Sequence, residues 1–315
     1  MTDAADHRIE QQSKGRSSTA HVLFAGRTTV DAVYRLDRFP EEDSKVFARA
    51  FRVAPGGPAC KAAITHAMLG GRASLVSAVG GGPWAAFVRA ELDRRKVELI
   101  DLAKGMQYET PLSTVMVSAE GATRTIVNPP LQNVPLNTPG PDWIPSFGDA
   151  PAVALSDGFY LAEVIPLLAA CRDAGAGICL DGGSWKPRTD ELAPLLKYAI
   201  CSERFAAPGK TADPAATVEW FAERGVPHVA VTQGQRPIIG LDRGRQFEID
   251  IQQANVVDTL GAGDVLHGAF CFYSASGLGF EEALRRAAGV ATRSCMGMGI
   301  ETALSGEGVG RASGG

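Results

Sequence analysis

From Ala152 onward, short β-rich apolar runs alternate with segments of helical period, and this alternation limits the possible folds more than any other feature of the chain. The pattern predicts strands over 152–155, 177–181, 198–201 and 228–232, with helices over 160–173, 190–197 and 214–224 between them. Strands joined through helices pair in parallel, so the expected architecture is an α/β fold with helices on both faces of a mostly parallel sheet. Upstream, Val22-Leu23-Phe24-Ala25-Gly26 reads as a buried first strand. A strand over Val46 to Val53 follows, then a helix from Ala59 to Leu69 stopped by Gly70-Gly71. Ser74 to Val79 reads as a strand and Trp84 to Lys96 as an amphipathic helix.

Leu112 to Ser118 and Thr123 to Asn128 flank Glu120-Gly121 and form a predicted hairpin. With Val46 to Val53 it would make a small separate sheet, a lid drawn from about 28–54 and 111–128. Two more β-like runs, 238–241 and 246–251, enclose the turn Asp242-Arg243-Gly244, and Phe280 to Met296 gives a final helix. One domain is expected over 21–304, with a polar disordered tail at 1–20 and a flexible Gly/Ser-rich end at 305–315. Phe51, Trp84, Met68, Met296 and Met298 read as packing residues.

The formal net charge is only −4 and no Lys/Arg block stands out, which excludes the electrostatic footprint of a nucleic-acid binder. No apolar run approaches a membrane span. The six cysteines show no Cys-x-x-Cys spacing and lie mostly in apolar stretches, as expected of reduced thiols in the cytoplasm. A small-molecule partner fits this balance.

Chemistry concentrates in Asp258-Thr259-Leu260-Gly261-Ala262-Gly263-Asp264, followed by Val265, Leu266, Ala269 and Phe270 at helical spacing. Glycines 261 and 263 leave backbone N–H groups uncovered at a helix start, where an anion is stabilised. Asp264 in that position is either an N-cap or a general base beside the hole, the pairing that phosphoryl transfer to an alcohol requires. Other motifs fall at expected strand ends, where ligands bind in open α/β sheets: Asp31, Gly57 and Thr232-Gln233-Gly234.

Asp258 to Asp264, together with Gly268, Ala269 and Phe270, resembles the C-terminal signature of the ribokinase-like (PfkB) carbohydrate kinases. The resemblance extends over roughly 21–300, nearest in pattern to ketohexokinase-like and sulfofructose-kinase-like members. It implies a three-layer α/β/α domain with a mostly parallel sheet and a β lid, acting as a cytoplasmic homodimer paired through that lid. ATP and Mg²⁺ would be cofactors. The acceptor would be a small ketose-like sugar, neutral or acidic. Asp264 would be the base, with Gly261, Ala262 and Gly263 in the anion hole. Asp31, Gly56 and Gly57 would hold the sugar, joined by Arg124 from the hairpin. Ser202, Thr232 and Gly234 would meet the nucleotide, along with Gly261 and Gly263. Asp258 would help hold a monovalent cation, K⁺.

The chain departs from the family at three places. Pro58 and Lys61 stand where many relatives carry asparagine, and the Asn-x-x-Glu motif expected near Cys201 to Phe205 is not kept. Glu203 would then reach magnesium through water, or the nucleotide phosphates would hold the metal alone. Lys61 at a helix start asks for a compensating anion. Either its stem bends back to place the ammonium in solvent, or the acceptor is itself acidic, with Arg124 as a second partner. His267 is left out as a structural histidine. A nucleoside kinase of the same fold, or a non-catalytic sugar or nucleotide sensor, is the alternative function.

Overall fold

His21–Ala25 is buried at every residue and pairs in parallel with a strand on each side. Val22 and Phe24 belong to one core and Leu23 and Ala25 to another, because successive strand side chains point to opposite faces. The computed structural model describes residues 20–121, 123–132, 134–139 and 150–297. The tails expected at 1–20 and 305–315 lie outside them, Ala20 excepted, as does Met298.

In chain order the elements are β1 (His21–Ala25), β2 (Thr29–Leu36), β3 (Ala50–Gly56), α1 (Pro58–Met68), β4 (Arg72–Ser77), α2 (Gly82–Arg94) and β5 (Val97–Asp101). Next come β6 (Leu112–Ser118), β7 (Thr123–Val127), β8 (Val153–Ser156), α3 (Leu161–Asp173), β9 (Gly177–Gly182), α4 (Thr189–Leu192) and β10 (Tyr198–Ser202). The chain continues through α5 (Pro214–Ala222), β11 (His228–Gln233), β12 (Arg236–Asp242), β13 (Arg245–Ile249), α6 (Ala262–Ala275) and α7 (Phe280–Ser294).

The large sheet has the order β13-β12-β11-β10-β9-β8-β1-β4-β5. It is parallel from β11 to β5, and the hairpin β12–β13 adds an antiparallel edge. Residues of α1, α2, α6 and α7 fill the core on one face, and those of α3, α4 and α5 the core on the other. The parallel arrangement puts the carboxyl ends of β1, β8, β9, β10 and β11 on one edge, where a ligand crevice forms. A second sheet, β3-β2-β6-β7, supplies the lid. All six cysteines are buried free thiols. Among the described residues, no helix is long and apolar enough to cross a membrane.

Two strands escape the sequence pattern. β2 is the central lid strand, parallel to β6 and antiparallel to β3, and its run Val30-Asp31-Ala32-Val33 is buried on both faces instead of alternating. β5 is short and carries Glu98 and Asp101. The strand expected at Val46 to Val53 starts only at Ala50, because Val46 and Phe47 project outward at 51% and 90% exposure. The helix expected over 190–197 is a single α turn followed by a 3₁₀ turn, Ala193–Leu195. Phe51, Trp84 and Met296 are exposed, whereas Met68 packs against the core as expected.

Candidate active site

Gly261 caps α6 at φ 78°, a left-handed conformation that glycine adopts at no steric cost. Ala262, Gly263 and Asp264 form the first turn of the helix; the Ala262 N–H donates to the Thr259 carbonyl at 3.3 Å, while those of Gly263 and Asp264 have no intrahelical acceptor. Asp264 is thus the third helical residue, and the reading of this acid as the N-cap is corrected. A Cβ built on Gly263 would meet nothing within 4 Å, so the turn faces open space.

Helix α6 lies against α1 at Gly268, where a Cβ would come within 2.3 Å of the Ala62 carbonyl oxygen and 2.7 Å of Thr65 Cβ. This close approach brings the starts of the two helices together, and Lys61 Nζ lies 3.9 Å from Asp264 Oδ2. The same ammonium donates to Asp31 Oδ2 at 2.8 Å, with the lysine side chain only 15% exposed. The expectation that the Lys61 charge reaches solvent is therefore corrected, and Asp31 and Asp264 supply anions from the chain itself.

Asp31 sits on β2 and not in a loop after β1, and Thr29 Oγ1 donates to its Oδ1 at 2.8 Å. Gly56 makes room for this carboxylate, since a Cβ there would fall 2.1 Å from Asp31 Oδ1. Gly57, at φ 90°, caps α1 and passes so close to Arg27 that a Cβ would fall 2.2 Å from its carbonyl oxygen. Pro58 occupies the first turn of α1, where a missing N–H costs nothing, which accounts for that departure from the family pattern.

Burial pushes the Asp264 carboxyl up to about 6; Lys61 opposes the shift and Asp181 adds to it. Burial also works against the Lys61 charge, but Asp31 and Asp264 outweigh it and hold the ammonium above the usual lysine range.

A pocket of about 640 Å³ gathers Asp31, Gly57, Lys61 and Arg124 with the turn 261–264, and extends to Ser202, Glu203, Thr232 and Gly234. Gly56 and Asp258 stand behind its lining. Arg124, on β7, donates from Nη1 to Thr259 Oγ1 at 3.0 Å, tying the lid to the signature loop. Ser202 Oγ donates to the Gly183 carbonyl at 2.9 Å and Thr232 Oγ1 to the Cys201 carbonyl at 3.3 Å, and Gly234 turns the chain at φ 66°. Glu203 forms an ion pair with Arg236.

Sequence reasoning missed four groups around this pocket. Asp157 closes β8 and accepts N–H bonds from Arg27 at 2.8 Å, Phe159 at 3.0 Å and Ala59 at 3.1 Å, clamping the ends of β1 and α1 together. Asp181, on β9, lines the pocket with a buried Oδ2 that has no hydrogen-bond partner. His267, passed over as structural, also lines the pocket; its Nδ1 lies 3.3 Å from Asp181 Oδ2 and 2.8 Å from the Gly263 carbonyl oxygen. Arg27, directly after β1, is the fourth. The available signal was an acid or a cation at the carboxyl end of a parallel strand.

Among the described residues, no cluster of three or more His, Cys, Asp or Glu side chains could hold a metal. The orphaned Oδ2 of Asp181 suits magnesium held mainly by nucleotide phosphates. Asp258 Oδ2 is likewise buried without a hydrogen-bond partner among the described residues, and the Arg52 guanidinium lies 4.0 Å from it.

The family model of the pfkB family carbohydrate kinases matches residues 19–304. The chain belongs to the pfkB family of carbohydrate kinases. This member is 26% identical over 299 residues to the ketohexokinase of Mus musculus, covering 87% of this chain and 95% of that one. It is 22% identical over 267 residues to the ribokinase of Lactococcus lactis, covering 84% and 87%. The structure of Arabidopsis thaliana ribokinase complexed with ribose and ATP superposes with a TM-score of 0.72 at 21% identity, covering 90% and 95%. The pfkB chain described here is accordingly a sugar or nucleoside kinase that uses ATP.

Proposed function

We propose that this kinase phosphorylates a hydroxyl of a small, ketose-like sugar, with Asp264 as the general base. The observation that carries this reading is the position of Asp264. Its carboxylate lies in the first turn of α6, beside the N–H groups of Gly263 and Asp264, which have no intrahelical acceptor, and 3.9 Å from the Lys61 ammonium. In this scheme Asp264 accepts the proton of the attacking hydroxyl while the N–H groups of 261–264 stabilise the charge on the transferring phosphoryl group. Asp31 keeps lone pairs beyond those bonded to Lys61 and Thr29, and these are available to a sugar hydroxyl. Ser202, Thr232 and Gly234 border the nucleotide side. Magnesium, when bound, would neutralise phosphate charge, and of the pocket-lining carboxylates Asp181 and Asp264 would be the ones to help hold it.

Among the described lining residues, Phe159 is the one carbocyclic aromatic side chain, a poor platform for a nucleobase, which favours a sugar over a nucleoside. A non-catalytic sensor would have no use for a base beside an anion hole. Phe47 before β3 is 90% exposed, and Phe51 and Val127, on the two edge strands of the small sheet, are each 56% exposed, apolar surface suited to pairing with a second copy in a homodimer. Buried thiols and the use of ATP agree with a cytoplasmic site.

Measuring ADP release with MgATP across a panel of sugars and nucleosides tests the assignment. Turnover with a sugar is expected. Turnover with nucleosides alone would transfer the reading to the nucleoside class, and substrate binding without turnover would favour the sensor.

A further inference from the structure

The pocket also holds Arg27, whose guanidinium forms no ion pair among the described residues. Arg27 follows the first strand, lines the pocket, and is 9% exposed. Its Nη2 is buried with no hydrogen-bond partner. Its guanidinium lies 5.2 Å from the centroid of the Phe159 ring, and Lys186 Nζ lies 4.9 Å from the same ring. A guanidinium stays charged at all working pH values, so burying it unpaired is unfavourable until an anion arrives.

Among the described residues neither neighbouring carboxylate forms an ion pair with this guanidinium, although Asp181 Oδ2 has no hydrogen-bond partner of its own. Asp157 spends its oxygens on the N–H groups of Arg27, Ala59 and Phe159, and Asp181 faces His267. The two other cations on the acceptor side differ from Arg27 in this respect. Lys61 is bound to Asp31 and close to Asp264, and Arg124 is exposed and bonded to Thr259. Gly57, in the turn expected under the sugar, packs against the Arg27 backbone, so this side chain starts from the acceptor side of the pocket.

We infer that the acceptor is a sugar carrying an anionic group, a carboxylate, sulfonate or phosphate, and that Arg27 binds that group beside Phe159. The inference rests on the sugar-kinase reading and narrows its substrate class. A guanidinium fork meets two oxygens of such a group at once, and the aromatic face holds the fork in plane. Lys186, outside the pocket lining, puts a second positive charge near the same ring.

The test uses the full chain with matched probes: D-glucose against D-gluconate, D-ribose against D-ribose 5-phosphate, and D-fructose against D-fructose 6-phosphate. ADP release gives the kinetics, and calorimetry gives binding without turnover. At least one anionic probe is expected to exceed its neutral counterpart in kcat/KM by about tenfold or more. Arg27→Gln should raise KM for that probe roughly 10- to 100-fold while KM for ATP stays put, the loss expected of one charged hydrogen-bonding pair. Arg27→Lys should retain part of the affinity and provides a second variant should the glutamine form fold poorly. Preference for neutral sugars, with KM unmoved by either substitution, overturns the inference and leaves the kinase reading standing. Anion binding that depends on Arg27 without turnover of any sugar overturns the acceptor assignment together with the sugar-kinase reading. If calorimetry detects no anionic probe and none is turned over, the inference falls.

Discussion

The ammonium of Lys61 stands 3.9 Å from Oδ2 of Asp264, so a fixed positive charge faces the carboxylate in the first turn of α6. Burial raises the Asp264 pKa to about 6, and Lys61 is the strongest influence pulling it back down. A carboxylate poised there is still ionised near neutral pH yet more basic than a solvated one, which suits a general base. The acid limb of kcat/KM should therefore rise through about pH 6 and level off above it. Removing the cation in Lys61→Met destabilises the ionised base, so the limb should shift to higher pH in a pH–rate profile. An unmoved limb would show that another group sets it.

Asp264→Asn keeps the shape of the turn and removes the base. Its kcat should fall on the order of 10²- to 10⁴-fold while ATP binding, followed by calorimetry, is nearly preserved. Parental turnover in this variant would eliminate Asp264 as the base.

Gly263 has open space where a side chain would start, so Gly263→Val should fold with little change in Tm. The added side chain would cover the N–H donors of the anion hole, and kcat should drop more than ADP affinity does. Parallel loss of kcat, ADP affinity and Tm would instead indicate a damaged helix start.

At Gly268 the expectation reverses. A methyl group placed 2.3 Å from the Ala62 carbonyl oxygen must push α1 and α6 apart, and overpacking of this kind costs about 1–3 kcal/mol. Gly268→Ala should lower stability in urea titration by that amount. Because the same contact sets the spacing of Lys61 and Asp264, kcat should fall as well. A fully stable and fully active variant would mean that the helices separate here without consequence.

Arg52 Nη2 lies 4.0 Å from Asp258 Oδ2, a carboxylate whose side chain is 3% exposed. This guanidinium supplies the charge that a monovalent cation would bring. Replacing K⁺ by tetramethylammonium should leave turnover within about twofold, since the protein's own charge remains in place. Arg52→Met should become K⁺-dependent, both in rate and in Tm. Strong K⁺ activation of the unmodified enzyme would refute the substitution of one charge for the other.

The parallel sheet was legible in the sequence because its strands are continuous apolar runs separated by helical periods, a pattern that depends on local spacing alone. The turn 261–264 was legible for the same reason: glycines at a helix start advertise free N–H groups whatever surrounds them. β2 was hidden because it is buried between two lid strands and carries Asp31 within its apolar run, so it lacks the alternation of a half-exposed strand. The partners of Lys61 could not be read from the sequence either. Asp31 lies 30 positions before it, and Asp264 is brought near only where Gly268 lets two helices touch. Arg27 and Asp181 became site residues through the parallel register that aligns the carboxyl ends of β1 and β9, strands separated in the sheet by β8. The order of residues specified which elements form and which helix start can hold an anion. Charge pairing between distant residues is a property of how those elements pack, and only the tertiary structure decided which cations are compensated and which one is left for a ligand.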